Sequence, residues 1–189
     1  MARTRLGLFG GTFDPPHLGH VAALRAAWAT GQYDQILVVV AGDPYQKTAQ
    51  RFVSTAADRL AMAEAAFAEL DGVEVSDREL RRTGASYTID TVRELLHDDV
   101  EIELLVGADT ANALPGWHDA HALCDLVTVG VFPRPHTPIT LGAPWRVSEI
   151  PMEPVDLSST GIRLEIADVS LLERQLPGPV VPLYLKVRG

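Results

Sequence analysis

The amino-acid sequence predicts an α/β fold in which a mostly parallel sheet carries helices on both faces. Strand-like and helix-like segments alternate from one end of the chain to the other, which is the pattern of consecutive βα units. Two strand candidates, QILVVVA and LVTVGVF, are apolar at successive positions, as parallel strands buried on both faces are. No repeat, low-complexity tract or linker interrupts the 189 residues, so we expect residues 1–189 to form one domain.

Each element follows from its own residue pattern. Short apolar or β-branched runs predict strands at residues 5–9, 35–41, 73–76, 101–106, 126–132 and 145–150. Apolar residues three and four positions apart predict helices at residues 17–30, 55–70, 86–97, 120–124, 159–167, 170–176 and 181–187. Residues 41–52 lack periodicity, and residues 133–146 carry four prolines, so both are expected to be irregular. This order of elements is that of a single Rossmann-like domain.

The irregular segments have a common position in the predicted fold. They follow residues 9, 41, 106 and 132, where four of the predicted strands end. In open parallel sheets, ligands bind beyond the carboxyl ends of the strands. We therefore expect a functional site at this edge.

The composition argues against some classes of protein. Sixteen Lys and Arg against 25 Asp and Glu give a net charge of −9, which is unlike a general nucleic-acid-binding or anionic-membrane-binding protein. A small anionic ligand remains compatible, because a helix N-terminus and a few cations suffice to bind it. The single cysteine, Cys124, excludes an intrachain disulfide. We find no signal-peptide pattern and no apolar run of membrane-spanning length, and we expect a cytoplasmic protein.

Residues 10–20 read GGTFDPPHLGH and lie between the first predicted strand and helix. The two glycines let the backbone approach a ligand closely, and the helix start offers free N–H groups to a phosphate. His17 and His20 share one face of the first helical turn, where both could donate hydrogen bonds to a phosphoryl group. A turn with two surface histidines is the structural alternative. Dinucleotide and Walker fingerprints are absent, and no third ligand at useful spacing suggests a metal, so we expect none bound by the protein.

This segment resembles the H-x-G-H signature of the nucleotidyltransferase superfamily, which contains adenylyl- and cytidylyltransferases. The resemblance implies that His17 and His20 are catalytic and bind the triphosphate, and that His20 supports the transition state. It also implies backbone contacts to the nucleotide and the substrate from Gly10, Gly11, Thr12 and Phe13.

The segment SSTGIR, residues 158–163, resembles the second superfamily signature, a Ser-Ser-Thr-x-Ile-Arg helix start. Ser158, Ser159 and Thr160 would supply hydroxyl and N–H groups to the phosphates of ATP, and Arg163 would supply a cation. A helix cap without a ligand is the alternative. Gly161 stands where the superfamily often has a larger or acidic residue, and it either loosens the helix start or admits the backbone closer to phosphate.

The segment LRRTGASYTIDT, residues 80–91, resembles the part of bacterial nicotinate-nucleotide adenylyltransferases that selects the pyridine substrate. The resemblance implies that backbone amides around Ser86, Tyr87 and Thr88 receive the nicotinate carboxylate at a helix start, where an anion is stabilised. A helix cap with a packed tyrosine is the alternative.

The segment GADTANALPGWH, residues 107–118, resembles the Gly-Ala-Asp…Trp-His block of the same family. Trp117 would stack on the pyridine ring, and Gly107 and Asp109 would border the bound ATP. The alternative for Trp117 is an ordinary core residue. His118 and His121 are interpreted as surface or packing residues.

Two further cations are candidates for the phosphate of the mononucleotide. Lys47, in AGDPYQK, matches the family's phosphate-binding lysine, although Tyr45 and Gln46 replace the Pro-His pair of many members. Arg134, in FPRPH, is the second candidate. Solvated loop residues are the alternative for both.

The resemblance implies an enzyme that transfers AMP from ATP to nicotinate mononucleotide, forming nicotinate adenine dinucleotide and pyrophosphate in NAD biosynthesis. Mg²⁺ would arrive with ATP and keep most of its waters, so no protein cage for it is expected. Two alternatives stay open. The first is a related enzyme that uses ATP or CTP on nicotinamide mononucleotide, phosphopantetheine, or a sugar or alcohol phosphate, and the second is a non-catalytic nucleotide-binding module. Assembly into a homo-oligomer also stays open.

Overall fold

A sheet of six parallel strands organises the chain, in the spatial order β3-β2-β1-β4-β5-β6. The computed structural model describes residues 3–42, 53–164 and 169–188. The strands are β1 (Thr4–Gly11), β2 (Gln35–Val40), β3 (Val73–Ser76), β4 (Val100–Gly107), β5 (Val127–Phe132) and β6 (Val147–Glu149). All six were predicted from the sequence to within a few residues, and the predicted Rossmann-like α/β fold class is confirmed.

Helices connect the strands and cover both faces of the sheet. They are α1 (Leu18–Ala29), α2 (Ala56–Phe67), α3 (Thr88–Leu95), α4 (Ala108–Ala113), α5 (Ala120–Leu126), α6 (Ser159–Leu164), α7 (Val169–Gln175) and α8 (Val180–Arg188), with a 3-10 turn at Leu114–Gly116. The sequence does not predict α4 and the 3-10 turn, because the segment is short, carries Pro and Gly and has no apolar periodicity. Within the described ranges, every helix is too short or too polar to cross a membrane.

The core is divided by the sheet into two apolar clusters. The first face packs β1, β2 and β4 residues against α1, α2, α7 and α8, and the second face packs them against α3, α4 and α5. The side-chain directions in β2 explain why it is apolar from Ile36 to Val40. Ile36, Val38 and Val40 point into the first cluster and Leu37 and Val39 into the second. Each such side chain contributes roughly 1.5–3 kcal/mol by burial, so both faces need apolar residues.

The strand order creates a reversal between β1 and β4. From β1 the chain builds outward through β2 to β3, and it then returns to place β4 on the other side of β1. The connections on the two sides therefore leave the carboxyl edge in opposite directions. In doubly wound sheets this reversal leaves a crevice at the carboxyl edge, which is where ligands bind.

We predict that alanine is tolerated much less well at Gly72 than at Gly31. Both glycines have positive φ, 68° and 66°, so both substitutions carry the backbone strain of an L-residue in that region. A Cβ at Gly72 would lie 2.0 Å from Cη2 of Trp28, whereas no heavy atom lies within 4 Å of a Cβ at Gly31. Urea denaturation should give a loss of about 1 kcal/mol for Gly31→Ala and roughly 3 kcal/mol for Gly72→Ala. Equal losses would show that Trp28 gives way without cost.

Candidate active site

A crevice at the carboxyl edge brings the ends of β1 and β4 together. Gly10 and Gly11 end β1 and Gly107 ends β4. A cavity opens on each face of the sheet at this point, and the two cavities share Gly10, Val106, Asp109 and Thr110 as lining residues. Because the shared residues form a common wall, ligands in the two cavities would approach each other across the sheet edge.

The cavity on the first face is called the histidine cavity here. His17, His20, Gly107, Asp109 and Arg134 line it, together with apolar residues that include Phe9 and Phe132. Residues predicted separately from three sequence motifs therefore meet in one place. The convergence follows from the parallel strands, because β1, β4 and β5 all end at this edge.

The two imidazoles of the histidine cavity stack on each other. Their centroids are 3.7 Å apart and their planes are inclined by 22°. The backbone N–H of His17 donates to Nδ1 of His20 over 3.1 Å. An imidazole whose Nδ1 accepts a hydrogen bond carries its proton on Nε2 when it is neutral. His20 is therefore fixed as the tautomer that can donate from Nε2.

Burial keeps both imidazoles neutral. Burial, together with a smaller effect of the nearby Arg134 cation, lowers the pKa of His17 to about 4. Burial also lowers the pKa of His20 well below its usual range, with smaller contributions from His17 and Arg134. His17 is 2% exposed and its Nδ1 has no hydrogen-bond partner among the described residues. Both histidines are thus neutral near pH 7.

Gly19 makes room for the ring of His17. A Cβ at Gly19 would lie 3.0 Å from Nδ1 and 3.1 Å from Cε1 of His17. The glycine of the H-x-G-H signature therefore leaves room for the first histidine to pack beneath the helix start, and a larger residue would push against its ring.

Phe13 supports His20 from the core side. The ring of Phe13 is 2% exposed and meets His20 edge-on, with centroids 5.2 Å apart. It also lies against Gly11, where a Cβ would be 2.8 Å from Cζ of Phe13. The side chain is consequently a packing residue, which leaves the backbone of residues 10–13 as the part available to a nucleotide.

Arg134 holds the segment that leads into α6. Its Nη1 donates to the carbonyl oxygens of Val155 (3.2 Å) and Leu157 (2.9 Å), and its Nε lies 3.7 Å from Asp109 Oδ1. The sequence predicts that Arg134 contacts the mononucleotide phosphate. In the structure it lies in the histidine cavity instead of beside Trp117.

The SSTGIR helix is bound to the loop that follows β1. Ser159 Oγ donates to the carbonyl oxygen of Pro15 over 2.8 Å, and Arg163 Nη1 donates to that of Asp14 over 2.5 Å. Ser158 caps α6 by accepting the N–H of Gly161. These contacts join segments 144 and 149 residues apart in the sequence, so the two predicted phosphate-binding motifs are neighbours.

The cavity on the second face is called the tryptophan cavity here, and its volume is about 530 Å³. Small-molecule sites usually measure about 300–1,000 Å³. Its lining includes Gly11, Thr12, Glu79, Thr88, Thr91 and Trp117. The N-terminal end of α3 and the predicted stacking residue therefore belong to the same cavity.

The SYT segment leads into α3 as predicted. Tyr87 is the N-cap residue, with extended backbone, and its ring stacks on His118 with centroids 4.0 Å apart. Ser86 Oγ accepts from Arg82 Nη1 over 2.8 Å. The contact with Tyr87 connects the residue after Trp117 to the start of α3, which agrees with the interpretation of His118 as a surface or packing residue.

Comparison with known proteins adds to this geometry. The family model described as "Cytidylyltransferase-like" matches residues 8–165.

The chain belongs to the cytidylyltransferase-like family.

Two relatives carry the name "Probable nicotinate-nucleotide adenylyltransferase". The protein of Albidiferax ferrireducens is 48% identical over 132 residues, which are 69% of this chain and 66% of the relative. That of Methylibium petroleiphilum is 37% identical over 183 residues, which are 93% and 85% of the two chains. The predicted resemblance to nicotinate-nucleotide adenylyltransferases is confirmed.

A solved structure shares the fold. It is described as Plasmodium falciparum nicotinic acid mononucleotide adenylyltransferase complexed with NaAD. Its TM-score is 0.80 at 16% identity, and the match covers 97% of this chain and 95% of that one.

Some predicted residues lie elsewhere than in the two cavities. Ser158 and Thr160 are exposed at the start of α6, beside the loop after β1. Lys47, with Tyr45 and Gln46, lies outside the described residues. Gly161 donates its N–H to Ser158, and a Cβ there would be 3.2 Å from Ser158 Oγ, so glycine relieves crowding at this cap.

Buried polar residues around the site were missed. Arg59, 1% exposed, donates to the carbonyl oxygens of Thr12, Ala41 and Ser54. The sequence does indicate the burial of Arg59, because this residue has helical spacing with Met62 and Ala63 on the buried face of α2. Glu79 and Arg82, just before α3, were also passed over.

One three-residue group could hold a metal ion among the described residues. It consists of His121, Cys124 and Asp125 on α5, whose ligand atoms lie within 4.8 Å of one another. His121 and Asp125 are exposed, and none of the three lines the histidine or the tryptophan cavity. We assign no role to this group in the candidate site.

We predict that His17 makes the fold sensitive to acid. Its folded pKa of about 4 lies below the usual 6.5, so the unfolded chain takes up a proton first as the pH falls. The stability it contributes is complete above pH 6.5 and is lost as the pH falls toward 4, by roughly 3 kcal/mol. Denaturant unfolding at pH 7 and pH 4.5 gives the free energy of unfolding at each pH. Its decrease between the two should be about 2–3 kcal/mol smaller for His17→Asn than for the wild type. Identical losses would contradict the prediction.

Proposed function

We propose that this chain transfers AMP from ATP to nicotinate mononucleotide, releasing pyrophosphate and forming nicotinate adenine dinucleotide. The observation that carries the proposal is the pair of cavities that share a wall at the end of β1 and β4. ATP would bind in the histidine cavity and the mononucleotide in the tryptophan cavity. The names of the relatives, which match up to 93% of the chain, support the same reaction.

The reaction is a phosphoryl-type transfer that needs no general base. An oxygen of the mononucleotide phosphate attacks the α-phosphorus of ATP in line. The bond from that phosphorus to the bridging oxygen breaks, and pyrophosphate leaves with the electron pair. The nucleophile is already an anion, so positioning and charge stabilisation are the contributions required of the protein.

His20 would act on the α-phosphate. Its Nε2 carries the proton because Nδ1 accepts from the backbone of His17. A donor fixed in this way before ATP binds needs no reorganisation when charge redistributes in the transition state. His17, beneath it, would contact the next phosphate and hold the His20 ring by stacking.

The far phosphates would lie toward α6. Arg163 and the hydroxyl and N–H groups of Ser158, Ser159 and Thr160 would bind the β- and γ-phosphates. Arg163 has five N–H donors, of which the contacts to Asp14 and Thr160 use only part.

The mononucleotide would lie against the second face. Trp117 would stack on the pyridine ring, and the amides of Ser86, Tyr87 and Thr88 would receive its carboxylate at the N-terminus of α3. Lys47 is proposed for the phosphate. Gly107 and Asp109, at the shared wall, would border both ligands.

The donor set fits a magnesium ion that travels with ATP. Of the residues that the structure describes, Asp109 is the one carboxylate in the lining of the histidine cavity, and it is largely exposed. Mg²⁺ prefers oxygen ligands and keeps several waters, so phosphate oxygens, water and at most Asp109 would hold it there. When bound, it would neutralise phosphate charge.

A cytoplasmic location belongs to the proposal, because a reducing compartment suits a chain with a single thiol.

Pyrophosphate release tests the function directly. ATP with nicotinate mononucleotide should release pyrophosphate and form the dinucleotide. ATP with phosphopantetheine, and CTP with nicotinate mononucleotide, should release at most a small fraction of that amount. Faster release with either of these pairs would assign the site to another substrate, and tight ATP binding without release from any pair would indicate a binding module.

We predict that His20→Ala lowers kcat by about 10²–10³, the usual effect of removing one preorganised donor. The fold should persist, because part of the His20 surface is exposed. His97→Ala, at an exposed position outside both cavities, is the control and should keep the wild-type rate. Steady-state kinetics and a thermal melt of each variant provide the measurement, and an unchanged kcat for His20→Ala would refute the assignment.

We also predict a preference for the nicotinate over the nicotinamide substrate. A carboxylate at the N-terminus of a partly buried helix gains up to about 2 kcal/mol, whereas a neutral amide gains little and brings donors of its own. The ratio of kcat/KM for the two mononucleotides should therefore be roughly 30. A ratio near one would remove α3 from the recognition of the carboxylate.

A further inference from the structure

A carboxylate lies in the wall of the tryptophan cavity, where a polyanionic substrate is proposed to bind. Glu79 lines this cavity with Trp117, Thr88 and Thr91, and its side chain is 12% exposed. A buried carboxylate beside a phosphate monoester is unfavourable unless a positive charge compensates it. Glu79 therefore requires a positive charge close to it.

The nearest cation of the described residues is already engaged. Arg82 Nη1 lies 4.0 Å from Glu79 Oε1, but Arg82 Nη2 is 2.7 Å from Glu94 Oε2. Arg82 Nη1 also donates to Ser86 and Thr91, both over 2.8 Å. The guanidinium is thus paired closely with Glu94 and only distantly with Glu79.

The hydrogen bonding of Glu79 leaves one oxygen for a ligand. Thr91 Oγ1 donates to Oε1 over 2.6 Å, and the contact with Arg82 reaches the same oxygen. Among the residues that the structure describes, no hydrogen bond to Oε2 is formed. Thr91 is 1% exposed, so it holds the carboxylate in a fixed position against the cavity.

An indole face and a carboxylate in one cavity form a receptor for an organic cation. Cations bind over the face of tryptophan, and a nearby carboxylate adds Coulomb attraction in a site with little water. The pyridine ring of nicotinate mononucleotide is alkylated at nitrogen and carries a permanent positive charge. It is the one positive group of a substrate that otherwise carries a carboxylate and a phosphate.

We infer that Glu79, held by Thr91 in the cavity that Trp117 also lines, is a specificity-determining residue that recognises the pyridinium charge. The inference rests on the proposed function and deepens it. The α3 amides would then bind the carboxylate on the ring, and Glu79 would attract the positive charge of the ring itself. Monophosphates with neutral rings or aliphatic chains would lose this second contact.

The test compares two substrates that differ only in ring charge. One is nicotinate mononucleotide, and the other is 3-carboxyphenyl riboside 5′-phosphate, in which carbon replaces the ring nitrogen. We define the discrimination as the ratio of their kcat/KM values, or of their competitive inhibition constants where turnover is too slow. Glu79→Gln should lower the discrimination about 10-fold, mainly by raising KM for the charged substrate. Glu79→Asp should retain most of it.

Glu94→Gln is the matched control. It removes a carboxylate from the same Arg82 network but not from the cavity, so the discrimination should stay within about twofold of the wild type. Because each ratio is measured on a single protein preparation, a variant that folds less completely still reports it. An equal loss on both substrates, or no loss on either, for Glu79→Gln would overturn the inference. Failure of the wild type to use nicotinate mononucleotide at all would instead refute the proposed function.

Discussion

The buried guanidinium of Arg59 makes the hydrogen bonds on which the structure of the carboxyl edge depends. It donates to the carbonyl oxygens of Ala41 (2.8 Å), Thr12 (3.1 Å) and Ser54 (3.2 Å), which follow β2, follow β1 and precede α2. Two connections, the one after β1 and both ends of the one between β2 and α2, are thus held by one side chain. Buried carbonyls left without a donor are costly, so the arrangement of these segments is fixed by the requirement that all three be satisfied. Asp14 completes the cluster, because its carboxylate accepts from the hydroxyl and the N–H of Ser54.

The same cluster extends to the histidines through the backbone of Asp14. The carbonyl oxygen of Asp14 accepts from Arg163, which docks α6, and the chain then runs directly into His17 at the N-cap of α1. His17 is buried and stacked, and its backbone N–H sets the tautomer of His20. The protonation state that the proposed chemistry needs is therefore a consequence of packing at residue 17. Acid sensitivity of the fold is the expected consequence of keeping an imidazole neutral in such a place.

The sequence predicted what is local or periodic. Strand runs such as QILVVVA must be apolar on both faces of a buried sheet, and the helix starts after them carry recognisable N–H and dipole chemistry. It did not predict partners that depend on distant segments. For Arg134 the sequence predicts a contact with the mononucleotide phosphate, but nothing in FPRPH shows that its guanidinium also bonds to the carbonyls of Val155 and Leu157. Arg59 and Glu79 were missed for the same reason, since a charged residue looks solvent-exposed until its buried partners are known.

The site reconciles a protein of net charge −9 with substrates that are themselves anions. Lys47 is the cation proposed for the mononucleotide phosphate and Arg163 the one proposed for the β- and γ-phosphates, while the group proposed at the α-phosphate is a neutral donor, His20. A fixed cation at the reacting centre would bind ground state and transition state alike, whereas a neutral, oriented donor strengthens as charge moves. The proposed role of Glu79 has the same basis, because its negative charge would lie near the positively charged pyridine ring. Binding then depends on the distribution of charge along the ligands. A negative net charge of the protein therefore does not prevent it from binding anions.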